Sequence, residues 1–205
     1  MALFTMLFLC MKGGRLLNIE FKELLETNPV VAAVKDDKGL NNCIKNEDIK
    51  VVFVLYGDIC SIETIVKKIH MSGKKAIVHI DLIAGLSAKE AAVEFMNKNV
   101  NADGIISTRP QLIKKAGHFG MFTVLRVFAL DSMAYENILR QVEAGNPDAI
   151  EILPGLMPKV IKKVSQKVRI PVIAGGLISD KEDVVNALSA GAISVSSTDQ
   201  KVWDM

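Results

Sequence analysis

Eight short apolar runs recur along the chain at a steady pitch, each closed by a polar or glycine-bearing stretch and most followed by a segment with helical periodicity. They are Val30–Val34, Val51–Leu55, Lys75–Ile80, Gly104–Ile106, Met121–Leu125, Ala149–Ile152, Pro171–Ala174 and Ala192–Ser196, and their tops, near residues 35, 56, 81, 107, 126, 151, 174 and 196, lie 19 to 26 residues apart. Runs of Val, Ile, Leu and Ala that are too short for helices and lack polar alternation predict strands buried on both faces, as in a parallel sheet. Strand-then-helix units in series predict helical crossovers, and eight of them close most readily as an α/β fold of the (β/α)8 TIM-barrel type. A doubly wound open sheet is the rival reading. With 205 residues the chain is long enough for one small barrel domain.

The segments between the runs carry their own signals. Arg15 to Thr27 has an apolar stripe that ends at Asn28-Pro29, predicting a leading helix able to plug the barrel floor. Further helices are expected around Leu40 to Lys45, from Ile59 to Ser72, from the capping box Ser87-x-x-Glu90 to Asn99, from Pro110, from Asp131 or Ser132 to Ala144, and from Pro158 to Val168. Residues 1–14 stand apart as an N-terminal extension, with the barrel domain over residues 15–205. The extension's apolar opening lacks a basic leader and a small-residue cleavage site and is too short to span a bilayer, so no membrane partner is expected.

The three cysteines, Cys10, Cys43 and Cys60, form no C-x-x-C pair, which points to a reduced, cytoplasmic setting. Lys plus Arg number 25 against 23 Asp plus Glu, a formal charge of +2, so no global basic field announces a nucleic-acid partner. A homo-oligomer is compatible with this sequence.

In a barrel the functional groups come from the C-terminal ends of the strands and the loops beyond them. Here those positions hold Lys35, Asp58, Asp81, Ser107, Arg126, Glu151, Gly175, Gly176, Ser197 and Thr198, with His79 on the same pleat face as Asp81. Pro171 to Ala174 leads into Gly175-Gly176 and a helix opening at Ser179 or Asp180, and Ser197-Thr198 follow the next strand. Glycines without a Cβ and a helix N-terminus suit an anion, and loops seven and eight are where such barrels hold phosphate. Asp81, Arg126 and Glu151 at the ends of buried strands need a partner or a ligand, since an unpaired charge there is costly. Asp58 and Asp131 also read as caps of the helices after them, Lys35 as a solvated turn residue, and His79 as a hydrogen-bonded core histidine. No metal site and no cofactor are expected.

The segments Tyr56-Gly-Asp58, Val78-His-Ile-Asp-Leu-Ile-Ala-Gly-Leu-Ser87, Asp103-Gly-Ile-Ile-Ser-Thr108, Glu151-Ile-Leu-Pro-Gly155 and Ile173-Ala-Gly-Gly-Leu-Ile178 resemble those of the glycerol-3-phosphate-responsive antiterminator family, in the same order, over about Asn28 to Trp203. The resemblance implies a (β/α)8 barrel that binds glycerol 3-phosphate and acts on the leader mRNA of glycerol-utilisation genes to prevent transcription termination. It carries His79, Asp81, Ser107, Arg126, Glu151, Gly175 and Gly176 over as pocket residues. The residues themselves do not give the RNA: no RNP or KH motif is present. The local basic sets are Lys67-Lys68 with Lys74-Lys75, Lys114-Lys115, and Lys159, Lys162, Lys163, Lys167 and Arg169, the last being the densest and the first choice for an RNA contact.

The alternative is a TIM-barrel enzyme of phosphorylated small molecules. A Schiff-base aldolase wants a lysine on a late strand, and strands six and seven supply none. A metal-dependent phosphodiesterase could draw on Asp81, Glu151 and His79.

Overall fold

The computed structural model describes residues 19–205. The expected N-terminal extension and the start of the expected leading helix lie outside the described residues. From there the chain runs α1 (Ile19–Thr27), β1 (Val30–Val34), α2 (Asp37–Cys43), β2 (Val51–Val54), α3 (Ile62–Met71) and β3 (Lys75–His79). It continues through α4 (Glu90–Phe95), β4 (Gly104–Ser107), α5 (Pro110–His118), β5 (Phe122–Phe128), α6 (Ser132–Gly145) and β6 (Ala149–Leu153). It ends with α7 (Pro158–Ser165), β7 (Val172–Gly175), α8 (Lys181–Ser189), β8 (Ser194–Ser197) and α9 (Gln200–Trp203). All eight strands pair in parallel in sequence order, and β1 pairs with β8 as well as with β2, so the sheet closes and the open-sheet alternative falls. Among the described residues no helix is long and apolar enough to cross a membrane.

The strands are uniformly apolar because each is buried on two sides. Outward residues such as Val52, Val54, Val78 and Ile105 pack under the helices, while Val31, Phe53, Ile77, Ile106, Val124 and Ile173 fill the lumen. Each fully buried Val, Ile or Phe contributes on the order of 1.5–3 kcal/mol. The floor is sealed by α1, whose Phe21 ring stacks on Phe122 with centroids 4.7 Å apart, beside a fully buried Leu25.

Several boundaries moved, each for a local reason. The helix after β2 starts at Ile62 rather than Ile59, because residues 58–61 form a turn held by Asp58. The capping box at Ser87 does not form: Lys89 is the N-cap of α4 with no side-chain bond, and its amide donates instead to the Ser87 carbonyl. The first crossover helix begins at Asp37, capped by Asp36 accepting from the Gly39 amide, and α7 stops at Ser165. Strand β5 extends to Phe128, which carries Arg126 inside the barrel wall rather than just past it.

Candidate functional site

The ends of β5, β6, β7 and β8 surround a cavity of about 470 Å³ at the barrel mouth. Arg126 and Glu151 stand opposite each other in register on β5 and β6 and both point inward, above the lumen-filling Val124 and Ala149. Arg126 Nε donates to Glu151 Oε2 at 2.6 Å, and Ser196 Oγ donates to Glu151 Oε1 at 2.5 Å. Their side chains are 8% and 1% exposed, so the charges are compensated by each other rather than by water. Among the described residues the remaining guanidinium nitrogens of Arg126 have no hydrogen-bond partner, and Arg126 lines the cavity.

Gly175 is part of this arrangement for a steric reason. A Cβ there would sit 2.4 Å from Glu151 Oε1 and 2.6 Å from Ser196 Oγ, so the glycine clears the space in which the carboxylate and hydroxyl meet. Gly176, at φ +75°, and Leu177, at φ +64°, then turn the chain across the mouth. A leucine in the left-handed region, 71% exposed, is an outlier of the kind that concentrates at functional loops.

Loops seven and eight are tied to one another. Ser197 Oγ donates to the Ile178 carbonyl at 2.6 Å and accepts from the Asp199 amide at 3.0 Å. The Trp203 indole donates to the Ser197 carbonyl, and the Gly155 amide donates to the Gly176 carbonyl, fastening loop six to loop seven. The Ser197 hydroxyl, expected as a ligand contact, therefore acts as a tether. The first turn of α8, expected to offer amides to an anion, is occupied by its own carboxylates: Asp180 accepts from the Asp183 amide, and Asp183 accepts from the Ser179 amide and hydroxyl. The two loops line the cavity with residues 176–179 and 197–199, of which Ser179, Ser197 and Asp199 are already engaged in these bonds or caps.

The sequence-predicted residues thus divide. Arg126, Glu151, Gly176, Ser197 and Thr198 line one cavity, with Gly175 directly beneath. Asp81, Ser107 and Thr108 form a separate cluster: Asp81 accepts from Ser107 Oγ on both oxygens and from the Thr108 amide and hydroxyl, with Arg109 at 3.8 Å. Asp58 caps a turn, accepting from the Cys60 and Ser61 amides and from Ser61 Oγ, and the Ser61 bonds hold its carboxyl below the usual range. Lys35 is an exposed residue after β1 and does not line the cavity.

His79 is 3% exposed with no hydrogen-bond partner for Nδ1. Burial, and then the Arg126 charge, push its pKa down to about 4 against the opposing pull of Asp81, so the ring is neutral. The hydrogen-bonded core histidine read from the sequence therefore lacks its bond at Nδ1. Among the described residues no three His, Cys, Asp or Glu side chains gather as a metal site. Asp81 and Glu151 are instead committed to hydroxyls, an amide and a guanidinium. The one buried lysine among the described residues, Lys74, lies at the opposite end of β3 and donates to the Asn46 and Ile49 carbonyls.

Sequence reasoning missed Ala33, Leu55, Leu153, Leu177, Ile178, Ser179 and Asp199 as cavity residues, and took Ser196 only as part of the Ser196-Ser197-Thr198 loop rather than as a partner of Glu151. Ser196 carried a signal: polar residues at alternate positions of an otherwise buried strand, Ser194 and Ser196, mark an inward face that is not pure core. Leu177 carried none, since only its φ distinguishes it.

Of the three basic sets, two are partly neutralised. Lys67 pairs with Glu63, Lys75 with Asp103, and Lys115 with Glu90 and Glu94, while Lys74 is buried. Lys159, Lys162, Lys163, Lys167 and Arg169 are all exposed, and among the described residues none of them pairs with a carboxylate.

Known proteins similar to this chain include a family and several relatives. The family model described as glycerol-3-phosphate responsive antiterminator matches residues 30–203. An Escherichia coli (strain K12) chain, uncharacterized protein YgcP, is 48% identical over 182 residues, covering 89% of this chain and 95% of its own. The crystal structure of the glycerol uptake operon antiterminator regulatory protein from Listeria monocytogenes str. 4b F2365 superimposes with a TM-score of 0.82 at 34% identity, over 85% of this chain and 94% of that one. The glycerol uptake operon antiterminator-related protein from Thermotoga maritima MSB8 does so with a TM-score of 0.77 at 33% identity, over 87% and 99%.

Proposed function

The chain belongs to the glycerol-3-phosphate responsive antiterminator family, and from that premise we propose that it binds glycerol 3-phosphate at the mouth cavity and, so loaded, engages the leader mRNA of glycerol-utilisation genes in the cytoplasm to prevent termination. The observation that carries the ligand half is the single cavity shared by the Arg126–Glu151 pair and the tethered loops seven and eight. Glycerol 3-phosphate has a diol end and a dianionic end. Glu151 is the natural acceptor for the hydroxyls, because its carboxylate is fixed by Arg126 and Ser196. The phosphate belongs at the other side, over Gly176 and Thr198 and within reach of the unpaired Arg126 nitrogens, away from the Glu151 charge.

The regulator reading is favoured over the enzyme reading by what the mouth lacks in reactive arrangement. The Asp81 carboxylate is held by four donor contacts from Ser107 and Thr108 at the end of β4, and Glu151 is ion-paired, so neither is poised as a general base. A sensor needs a ligand to favour one state of the loops over another, and the bonds linking loops six, seven and eight are a means for one bound molecule to order all three. Calorimetry with glycerol 3-phosphate, followed by leader-RNA titration at fixed salt with and without it, tests the proposal. The expected result is one bound ligand per chain and tighter RNA binding in its presence. Ligand-independent RNA affinity would sink the sensing role, and steady turnover of the ligand would restore the enzyme.

A further inference from the structure

We propose that the seam between α6 and α7 is the surface on which a single-stranded stretch of RNA lies, an assignment that rests on the antiterminator reading above. Helix α6 packs mainly on α5 and β5, and between it and α7 open two adjoining cavities of about 330 and 130 Å³ that share Tyr135. Their floor is apolar, from Ile138, Leu139, Val160 and Val164. One rim is α7 with Lys163 and, just past its end, Lys167.

Three features select a polyanion with flat apolar groups. First, Lys159 and Lys163 stand one helical turn apart on α7, about 6 Å along its axis, and Lys167 continues the line. Second, these exposed cations have no carboxylate partner among the described residues, whereas Lys67, Lys75 and Lys115 elsewhere on the barrel do. Third, the Lys167 ammonium lies 5.0 Å over the Tyr135 ring, which brings an aromatic face and a cation together in the groove, the combination that single-strand binders use for base and phosphate. Asp131 and Glu136 on the α6 side repel phosphates and so confine the sugar-phosphate chain to the α7 side. A duplex would not enter a groove of this size; unpaired bases do.

The location also gives ligand occupancy a way to reach the surface. Helix α7 follows directly on loop six, which leaves β6 at Leu153, a residue of the mouth cavity, and whose Gly155 is bonded to Gly176. Ordering loops six and seven fixes the start of α7, and with it the spacing of the lysine line.

The test compares RNA binding by the wild-type protein, the double variant Lys159→Glu/Lys163→Glu, the variant Tyr135→Ser and a control, Lys67→Glu/Lys68→Glu on α3. The probe is an end-labelled leader transcript of a glycerol-utilisation operon, titrated with glycerol 3-phosphate over a range of salt, with circular dichroism and calorimetric ligand binding as checks of folding. The expected result is that the α7 double variant loses at least about tenfold in affinity and that its slope of log K against log salt falls by about 1.4, at about 0.7 per phosphate contact. Tyr135→Ser loses about tenfold with the slope unchanged, since stacking is not ionic. Equal losses in the α3 control, or none in the α7 variant, would overturn the assignment while leaving the regulator intact. A switch from dimer to monomer in the α7 variant with RNA affinity unaltered would give the seam to a second copy of the chain. No RNA binding by the folded, ligand-bound wild type would remove the antiterminator reading and this inference together.

Discussion

Two carboxylates near the mouth of the same barrel, one just after β3 and one within β6, have opposite fates. Asp81, after β3, is enclosed by Ser107 at the end of the adjacent strand β4 and by the amide and hydroxyl of Thr108 just beyond it. Glu151, in β6, is held by side chains from β5 and β8, leaving it at the wall of an open cavity. Both were expected in one ring of ligand contacts. The difference teaches that a strand-end charge is spent as a clamp when all its donors come from the end of the next strand and its loop, and stays at the cavity wall when it lies on the inner face, held by side chains that line the cavity themselves.

The largest effect belongs to Glu151. Glu151→Ala leaves the Arg126 charge buried without its partner, and denaturant unfolding is expected to show a loss of about 3–5 kcal/mol together with loss of ligand binding. Replacing both residues, as in Arg126→Met/Glu151→Leu, is expected to return much of that stability but none of the affinity. Recovery of both would break the distinction between the two carboxylates.

His79 lies between the two clusters and feels both Arg126 and Asp81. Its folded pKa of about 4 lies below the unfolded value of 6.5, so between those limits the unfolded chain binds the extra proton. Its contribution to stability is therefore expected to fall by about 3 kcal/mol as the pH drops from 6.5 to 4, levelling off below, and His79→Leu is expected to flatten that part of the profile. A profile unchanged by the substitution would show that the ring is solvated or bonded after all.

Asp81→Asn is expected to cost about 2 kcal/mol, the worth of hydrogen bonds to a charged acceptor, while calorimetric ligand affinity stays at the wild-type value. Loss of affinity without loss of stability would place Asp81 in the site. The smallest effect concerns loop seven. Asn101 and Asn146 also have positive φ but belong to the residue type that tolerates it, and both cap helices; Leu177 does not. Leu177→Gly is expected to raise stability by about 0.5 kcal/mol, the relief of the left-handed backbone less the entropy of a glycine, and to weaken ligand binding. No stability gain would mean that contacts of the leucine offset its backbone strain.

The strands were legible because burial on both faces leaves a continuous apolar run with little to confuse it, and Val30–Val34 has the same limits in both readings. Helix starts were less so. Ser87 and Glu90 have the spacing of a capping box, yet the stretch before them is held by a short turn at Ile80–Leu82 and by backbone bonds of Ala84 to Gly57 and Ile59, and the helix begins only at Glu90. At the site, the residue types could be read and their pairings could not. That Gly175 makes room for Glu151 depends on the register of β6 on β7, and that Ser197 ties two loops depends on how loop seven folds back. Neither is encoded in local spacing. The unpaired state of the α7 lysines is likewise invisible until the acids near other lysines have been located.

The stacked phenylalanines beneath the lumen make this barrel a cup with one opening rather than a tube. A guest must leave by the door it entered. Any macromolecule that steadies the loops around that door therefore slows the guest's escape, and a transcript and a metabolite held by the same chain are expected to tighten each other's equilibrium binding by the same factor.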